Sequence, residues 1–190
     1  MITAAERTHA VLSASSSKQW LNCPPSARLR ERFPQEPSDA AREGTLAHQF
    51  CELKLRKLFL EPGMPDKTYK AEIGKLKKEE LYSSEMERYT DEYADYVKEI
   101  AYGYPSAPYI TVEKKVDYSH VAPEGFGTAD CILLHGDEMH VVDFKYGKGI
   151  AVSAEGNSQM ALYALGALKA YGLIYPVDKV YLHIIQPRLR

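Results

Sequence analysis

The chain is short of cysteine, and the three it has, Cys23, Cys51 and Cys131, are scattered without a C-x-x-C pair. That spacing excludes a disulfide-stapled secreted module and a zinc ribbon, and it fits a reducing compartment. No apolar run reaches the roughly 20 residues needed to span a bilayer, and no apolar segment of the kind that directs secretion follows the start, so the expected location is the cytoplasm with no membrane partner. An excess of positive charge is absent too, since 24 Lys and Arg stand against 26 Asp and Glu, a net charge of −2. Such a chain does not attract polyanions through its overall field, and any nucleic-acid contact must come from local patches such as Lys75, Lys77 and Lys78, or Lys145 and Lys148. Repeats, low-complexity segments and the spacing of a Walker phosphate loop are missing as well. What is present is an ordinary globular composition, 45% hydrophobic over 190 residues, enough for one domain with a sizeable core.

Periodicity divides the chain. "SASSSKQWLNCPP" reads as a short capped helix broken by Pro24 and Pro25, and a polar stretch through Gln35 to Asp39 leads into a longer helix over about Glu43 to Leu60, its buried stripe marked by Leu46, Phe50 and Leu53. A loop with Pro62, Gly63 and Pro65 and a lysine-rich connection follow. Ser84 and Glu87 have the spacing of a capping box for a helix in which Met86, Tyr89, Tyr93, Val97 and Ile100 recur at helical intervals. Strands are then expected near Tyr109 to Asp117, Phe126 to Leu134 and Met139 to Tyr146, a helix near Ser158 to Tyr171, and a last strand near Lys179 to Gln186. The fold class is α/β. The alanine-rich crossover of some forty residues places the final strand parallel to the third by the right-handed rule.

One hairpin carries the chemistry. In "DCILLHGDEMHVVDFK", residues 130 to 145, a two-residue Gly136-Asp137 turn sets His135 against Glu138 and Leu134 against Met139; by the same count Asp130 faces Asp143 and Thr128 faces Lys145. Directly opposed like charges destabilise a strand pair by up to about 1 kcal/mol when exposed. Burial makes this worse, and Ile132, Leu133, Val141, Val142 and Phe144 imply a buried sheet, so a proton or a cation must sit between the aspartates. A bridging divalent metal resolves the conflict. Asp143 and Lys145, two apart on a strand, share a face with Asp130, which suits phosphodiester hydrolysis: carboxylates hold Mg²⁺ or Mn²⁺, a bound water loses its proton more readily, and the lysine positions that water or stabilises developing charge. The bland alternative is a partly exposed ion triad.

Other residues mean less alone. His48 in "GTLAHQFCE" lies mid-helix, where a histidine is more often a satisfied structural group than a ligand, and Gly44 leaves room for a backbone or ligand to approach. Glu113 falls near Asp130 if residues 117 to 124 close another hairpin, or else pairs with Lys115 or Lys145. Gln159 and Tyr163, four apart, share a helix face, so that Gln159 can donate to a phosphate while Tyr163 stacks on a base or sugar; their plain alternative is a half-buried polar face. "KYGKG", residues 145 to 149, is a flexible basic turn in which Lys148 and backbone amides can meet a phosphate.

Taken together these segments resemble the RecB-like exonucleases of the PD-(D/E)xK superfamily, most closely the phage-encoded kind. "GTLAH" resembles the first motif, "GTAD" the second, "VVDFK" the third and "QMALY" the Gln-x-x-x-Tyr motif, in the right order from residue 44 to 163. Alanine stands where the superfamily name has proline, as is common in this branch, and Tyr146 replaces a frequent small polar residue. The resemblance implies a restriction-endonuclease-like core of a helix, three antiparallel-type strands, a helix and a parallel strand, with residues 44–60 and 105–190 as catalytic core, 61–104 as a helical insertion and 1–43 as an N-terminal helical segment of one nuclease domain. It implies that His48, Asp130 and Asp143 bind Mg²⁺ or Mn²⁺, that Lys145 is catalytic and that Glu113 supports them. It implies DNA as substrate, exonuclease action on ends or single strands, and phage replication or recombination proteins as partners; the oligomeric state stays open. Many relatives hold an iron-sulfur cluster with the cysteine of a "CP" motif, here Cys23-Pro24, and three later cysteines that this chain lacks, so a cluster is expected only in a longer form with a C-terminal tail. The alternatives from other classes are a catalytically idle nuclease-fold module that binds DNA or a recombination partner, and a metal hydrolase acting on a small molecule.

Overall fold

The computed structural model describes residues 10–33 and 36–189. The alternating apolar runs fold as β1 (Tyr109–Asp117), β2 (Phe126–His135) and β3 (Glu138–Phe144), antiparallel in sequence, and β4 (Lys179–Ile185) adds parallel to β3, giving one mixed sheet in the order β1-β2-β3-β4. The β2–β3 turn is the expected one: Gly136 takes a φ of 58°, which a side chain would resist, and the pairing runs from His135 with Glu138 to Cys131 with Val142. The paired residues end there, and just beyond them the Asp130 side chain accepts the Phe144 N–H at 2.7 Å.

Helices cover both faces. On one side lies α6 (Ser158–Tyr171), started by Asn157, whose side chain accepts from the Met160 N–H at 3.2 Å; its Met160, Ala164 and Ala167 pack on Ile132, Leu134, Met139 and Val141. On the other side α3 (Asp39–Leu55) and α5 (Ser84–Tyr102) bury Phe50, Tyr93 and Val97 against Cys131, Leu133, Val142 and Phe144. Each fully buried side chain of this size contributes about 1.5–3 kcal/mol. In sequence between these two helices comes α4 (Asp66–Leu76), which packs on α3, and the N-terminal segment forms α1 (Ser17–Asn22) and α2 (Pro25–Arg32). No helix among the described residues is long and apolar enough to cross a membrane.

The strand alternation breaks once, at the same rung of two strands. In β1, Tyr109 contacts Tyr171 on the α6 side while Ile110 and Val112 pack on the α3/α5 side, yet Val116, also even-numbered, lies on the α6 side. In β2, Ile132 and Leu134 face α6, and so does Ala129, whereas Cys131 and Leu133 face α3 and α5. Both strands therefore exchange faces at Glu113 and Asp130, which oppose one another between the pairs Val112 with Cys131 and Lys114 with Ala129. The cause is visible in the backbone: Glu113 has a φ of 48°, a left-handed conformation that costs a residue with a Cβ about 1–2 kcal/mol.

Three sequence expectations are corrected. The helix expected from Glu43 starts at Asp39, because the Ser38 hydroxyl caps it by accepting from the Ala41 N–H, and its end widens into a π turn, Arg56–Leu60. The Ser84–Glu87 capping box does not form: Ser83 is the cap residue, and Glu87 instead pairs with Lys77 at 2.7 Å and accepts from the Tyr82 hydroxyl. The lysine-rich connection contains α4, whose polarity hid its helical period. The short first helix does end before Pro24 and Pro25, at Asn22, and Pro25 then begins α2, where its missing N–H is not needed.

A chain of hydrogen bonds fixes α5 to the far half of the sheet. The Tyr104 hydroxyl donates to Glu138 Oε2 at 2.8 Å, so its 2.6 Å contact with His140 must use His140 Nε2–H as donor. His140 Nδ1 is then an acceptor for His183 Nε2–H at 2.8 Å, and His183 Nδ1 accepts from the Tyr96 hydroxyl at 2.9 Å. Both imidazoles are neutral in this arrangement, in accord with burial, which lowers both and brings His183 to about 4.

Close packing under α6 gives a first test. A Cβ on Gly127 would stand 2.8 Å from the Tyr163 ring, which is itself buried. Gly127→Ala is therefore expected to cost about 1–3 kcal/mol, lowering the melting temperature by roughly 3–10 °C in a thermal melt. An unchanged melting temperature shows that the ring has room to move.

Candidate metal centre

The functional side chains converge where β3 ends. The middle of α3 brings His48 over the sheet, with its ring edge-on to Phe144 at 5.5 Å. The face-switching rung brings Glu113 and Asp130 toward it: His48 Nδ1 lies 3.5 Å from Asp130 Oδ2 and 3.9 Å from Glu113 Oε1, and one ligand atom from each of the three falls within 4.8 Å of the others. Asp130 Oδ2 also accepts the Phe144 N–H at 2.7 Å, which ties it to β3. Space beside Gly44 is open, with nothing within 4 Å of where a Cβ would be.

Asp143 stands just outside that group. Its Oδ1 accepts from Gln159 Nε2 at 3.3 Å, and its buried Oδ2 forms an ion pair with Lys145 Nζ at 2.9 Å. Lys145 donates to Gln159 Oε1 at 3.0 Å, and Gln159 Nε2 reaches the Tyr163 hydroxyl at 3.2 Å. One glutamine on α6 thus holds both the lysine and the aspartate of β3. Two expectations change here. The compact ligand group contains Glu113 where Asp143 was expected beside His48 and Asp130. Tyr163 is buried, so it braces Gln159 and offers no face for a base to stack on.

Burial without enough donors makes this a strained set of charges. Desolvation raises Asp130 to about 6 against the Phe144 N–H and Lys145, which lower it; desolvation and then the Asp130 charge raise Asp143 to about 6. Glu113 is raised to about 8 by burial, then by Asp130, Glu52 and Asp143. Burial lowers His48, leaving a neutral imidazole with a lone pair. Raised carboxyls and a neutral imidazole, with ligand atoms of one imidazole and two carboxylates within 4.8 Å of one another, together fit a divalent cation with oxygen and nitrogen ligands.

Sequence reasoning did not find the neighbours of this group. Glu52, one turn beyond His48 on α3, adds to the charge around Glu113, and its i+4 spacing from His48 was a readable sign. Lys145 and Gln159 also line a cleft of about 800 Å³ that has α1, with Lys18 and Leu21, as a wall. That wall is joined to α6 by Ser17 and Ser158, whose hydroxyls are 2.6 Å apart across 141 residues of sequence, a contact without any local signal. Lys148 lies exposed in the turn after β3. Cys23 is exposed, Cys51 and Cys131 are buried, and among the described residues no three thiols form a metal-sized group.

Fold and site together define a mixed α/β protein with a candidate imidazole and carboxylate centre at one end of its sheet. Residues 9–190 match the family model described as a protein of unknown function, DUF2800, and the chain belongs to that family. No solved structure matches it.

Proposed function

We propose that this protein is a divalent-metal-dependent deoxyribonuclease with a PD-(D/E)xK core, acting as an exonuclease on DNA ends or single strands. The observation that carries the reading is the meeting of His48, Glu113 and Asp130 within 4.8 Å beside a buried Asp143 and a lysine two residues further on. His48, Asp130 and Glu113 would hold Mg²⁺ or Mn²⁺, with Asp143 completing the set. When bound, such a cation supplies a water of lowered pKa and a counter-charge for a phosphoryl oxygen. The chain's own part is positional. Gln159 holds the Lys145 ammonium beside the carboxylates, where it can orient an attacking water and meet charge developing on the phosphate. Lys148 and the basic turn around it are placed to contact the backbone of the same strand.

One imidazole with carboxylates is a softer set than oxygen alone, so calorimetry is expected to find Mn²⁺ bound more tightly than Mg²⁺. The purified protein with Mn²⁺ is expected to shorten a 5′-labelled single strand on a denaturing gel. Equal or weaker Mn²⁺ binding removes His48 from the ligands. A protein that binds Mn²⁺ and DNA but cuts neither single strands nor duplex ends is an idle nuclease-fold module.

A further inference from the structure

We infer that the cleft between α1 and the start of α6 receives unpaired nucleotides, and that Lys18, Leu21 and Ile150 make this protein select single strands or frayed ends over intact duplex. The inference rests on the nuclease reading and adds the form of the substrate to it.

The cleft adjoins the site, since Lys145 and Gln159 are among its lining residues together with Lys18, Leu21 and Asn22 of α1. Its lining mixes charged, polar and apolar groups. Lys18 on α1 and Lys145, which also pairs with Asp143, supply positive charge and Glu155 one negative charge about a space lined by residues such as Ser17 and Asn157. Leu21 and Ile150 supply apolar surface, and they are 57% and 81% exposed, far more than side chains of that kind need be in a folded chain. An occupant that satisfies both kinds of lining presents anionic groups and uncovered apolar faces within a short length. Unstacked nucleotides do so, phosphate by phosphate and base by base. An intact duplex does not, because its base faces are covered by stacking and only base edges, sugar and phosphate reach the outside. At about 800 Å³ the cleft is of small-ligand size, which suits a few nucleotides of one strand.

The walls are built before anything enters. Ser17 is tied to Ser158, and Trp20 donates to the Ser13 carbonyl at 2.9 Å, which fixes α1. On the opposite side Gln186, just past β4, accepts from the Val152 N–H at 3.0 Å and donates to the Gly147 and Ile150 carbonyls at 2.7 and 2.9 Å. Three hydrogen bonds from one side chain thus hold the loop that carries Ile150. An occupant meets a shaped surface and loses less freedom on binding than a floppy loop would demand.

Fluorescence anisotropy in Ca²⁺ buffer with a labelled 12-nucleotide strand and a blunt duplex of the same length tests this. The unaltered protein is expected to bind the single strand about tenfold or more tighter than the duplex. The double substitution Leu21→Ser with Ile150→Ser is expected to weaken single-strand binding about 5- to 20-fold and duplex binding less than about twofold. Lys18→Glu is expected to weaken single-strand binding and to flatten its dependence on log salt concentration by about one to two. These side chains are exposed, so melting temperature and Mn²⁺ affinity should match the unaltered protein. Equal affinity for strand and duplex, or a double variant that keeps full preference, overturns the inference. Cleavage of the same strand in Mn²⁺ is read in parallel: cutting without strand preference removes the cleft alone, preference without cutting removes the nuclease reading alone, and absence of both removes both.

Discussion

Replacing Lys145 by alanine is expected to slow Mn²⁺-dependent cleavage of a 5′-labelled strand by roughly 10²- to 10³-fold while leaving the Mn²⁺ dissociation constant within about threefold of its original value. The lysine touches the site through Asp143 Oδ2 and Gln159 but belongs to no ligand group, so its charge acts on the reaction and not on retention of the metal. DNA affinity should fall only slightly, because one phosphate contact among several is lost. Asp130→Ala and Asp143→Ala are expected to behave differently, losing cleavage and metal binding together. Calorimetry beside a timed gel separates the two outcomes. A Lys145→Ala protein that cuts at the original rate removes the lysine from the chemistry, and an Asp130→Ala protein that still titrates with Mn²⁺ removes the centre from where the geometry puts it.

In the absence of metal, raising the pH from 6.5 to 8.5 is expected to destabilise the protein, and Mn²⁺ is expected to reverse the loss. Asp130 and Asp143 near 6 and Glu113 near 8 all lie above the values of the unfolded chain, close to 4. The folded state therefore holds these protons more tightly, and the stability they confer is full below about pH 4 and lost as the pH rises through 6 and then 8. His183 works in the opposite sense: lowered from 6.5 to about 4, it adds stability as the pH rises across that lower interval and is spent above it. Above pH 6.5 the carboxyls alone remain, with Glu113 the largest contributor. Its side chain keeps about 31% exposure, which screens the effect, so a loss of about 1–2 kcal/mol is expected, or roughly 3–7 °C in melting temperature. Saturating Mn²⁺ at about 100 times its dissociation constant should add about 2.7 kcal/mol. Glu113→Gln should flatten the metal-free pH profile. A melting temperature that is constant from pH 6.5 to 8.5 without metal means the three carboxyls are solvated after all.

The order of strands and helices was legible because its signals are local. Gly136-Asp137 fixed the hairpin register, and the period of residues 158–171 placed α6 within its observed bounds. That register also brought Asp130 and Asp143 to neighbouring positions just beyond the paired residues. What the register could not convey was the exchange of faces at Glu113 and Asp130, since a strand read by alternation is assumed to keep its hand, and a left-handed glutamate has no signature in composition. For that reason Asp143 was expected among the nearest ligands, and Glu113 was left between a carboxylate role and a salt bridge. The cleft was illegible for a different cause. Ser17 meets Ser158, and Gln186 meets residues 147 to 152, through contacts that span the chain and leave no periodic trace. The helix α4 was missed because a mostly polar surface helix carries little hydrophobic rhythm.

The left-handed backbone at Glu113 also sets which way this protein can drift. A glycine there would remove backbone strain and take one negative charge away from Asp130 in a single step. Both changes favour folding, while on the proposed reading the same step removes one of the carboxylates that would hold the metal. Selection for a sturdier fold and selection for chemistry therefore pull in opposite directions at this one codon. A lineage freed from the need to act on its substrate should lose Glu113 early, and its descendants should be more heat-resistant than their active ancestor.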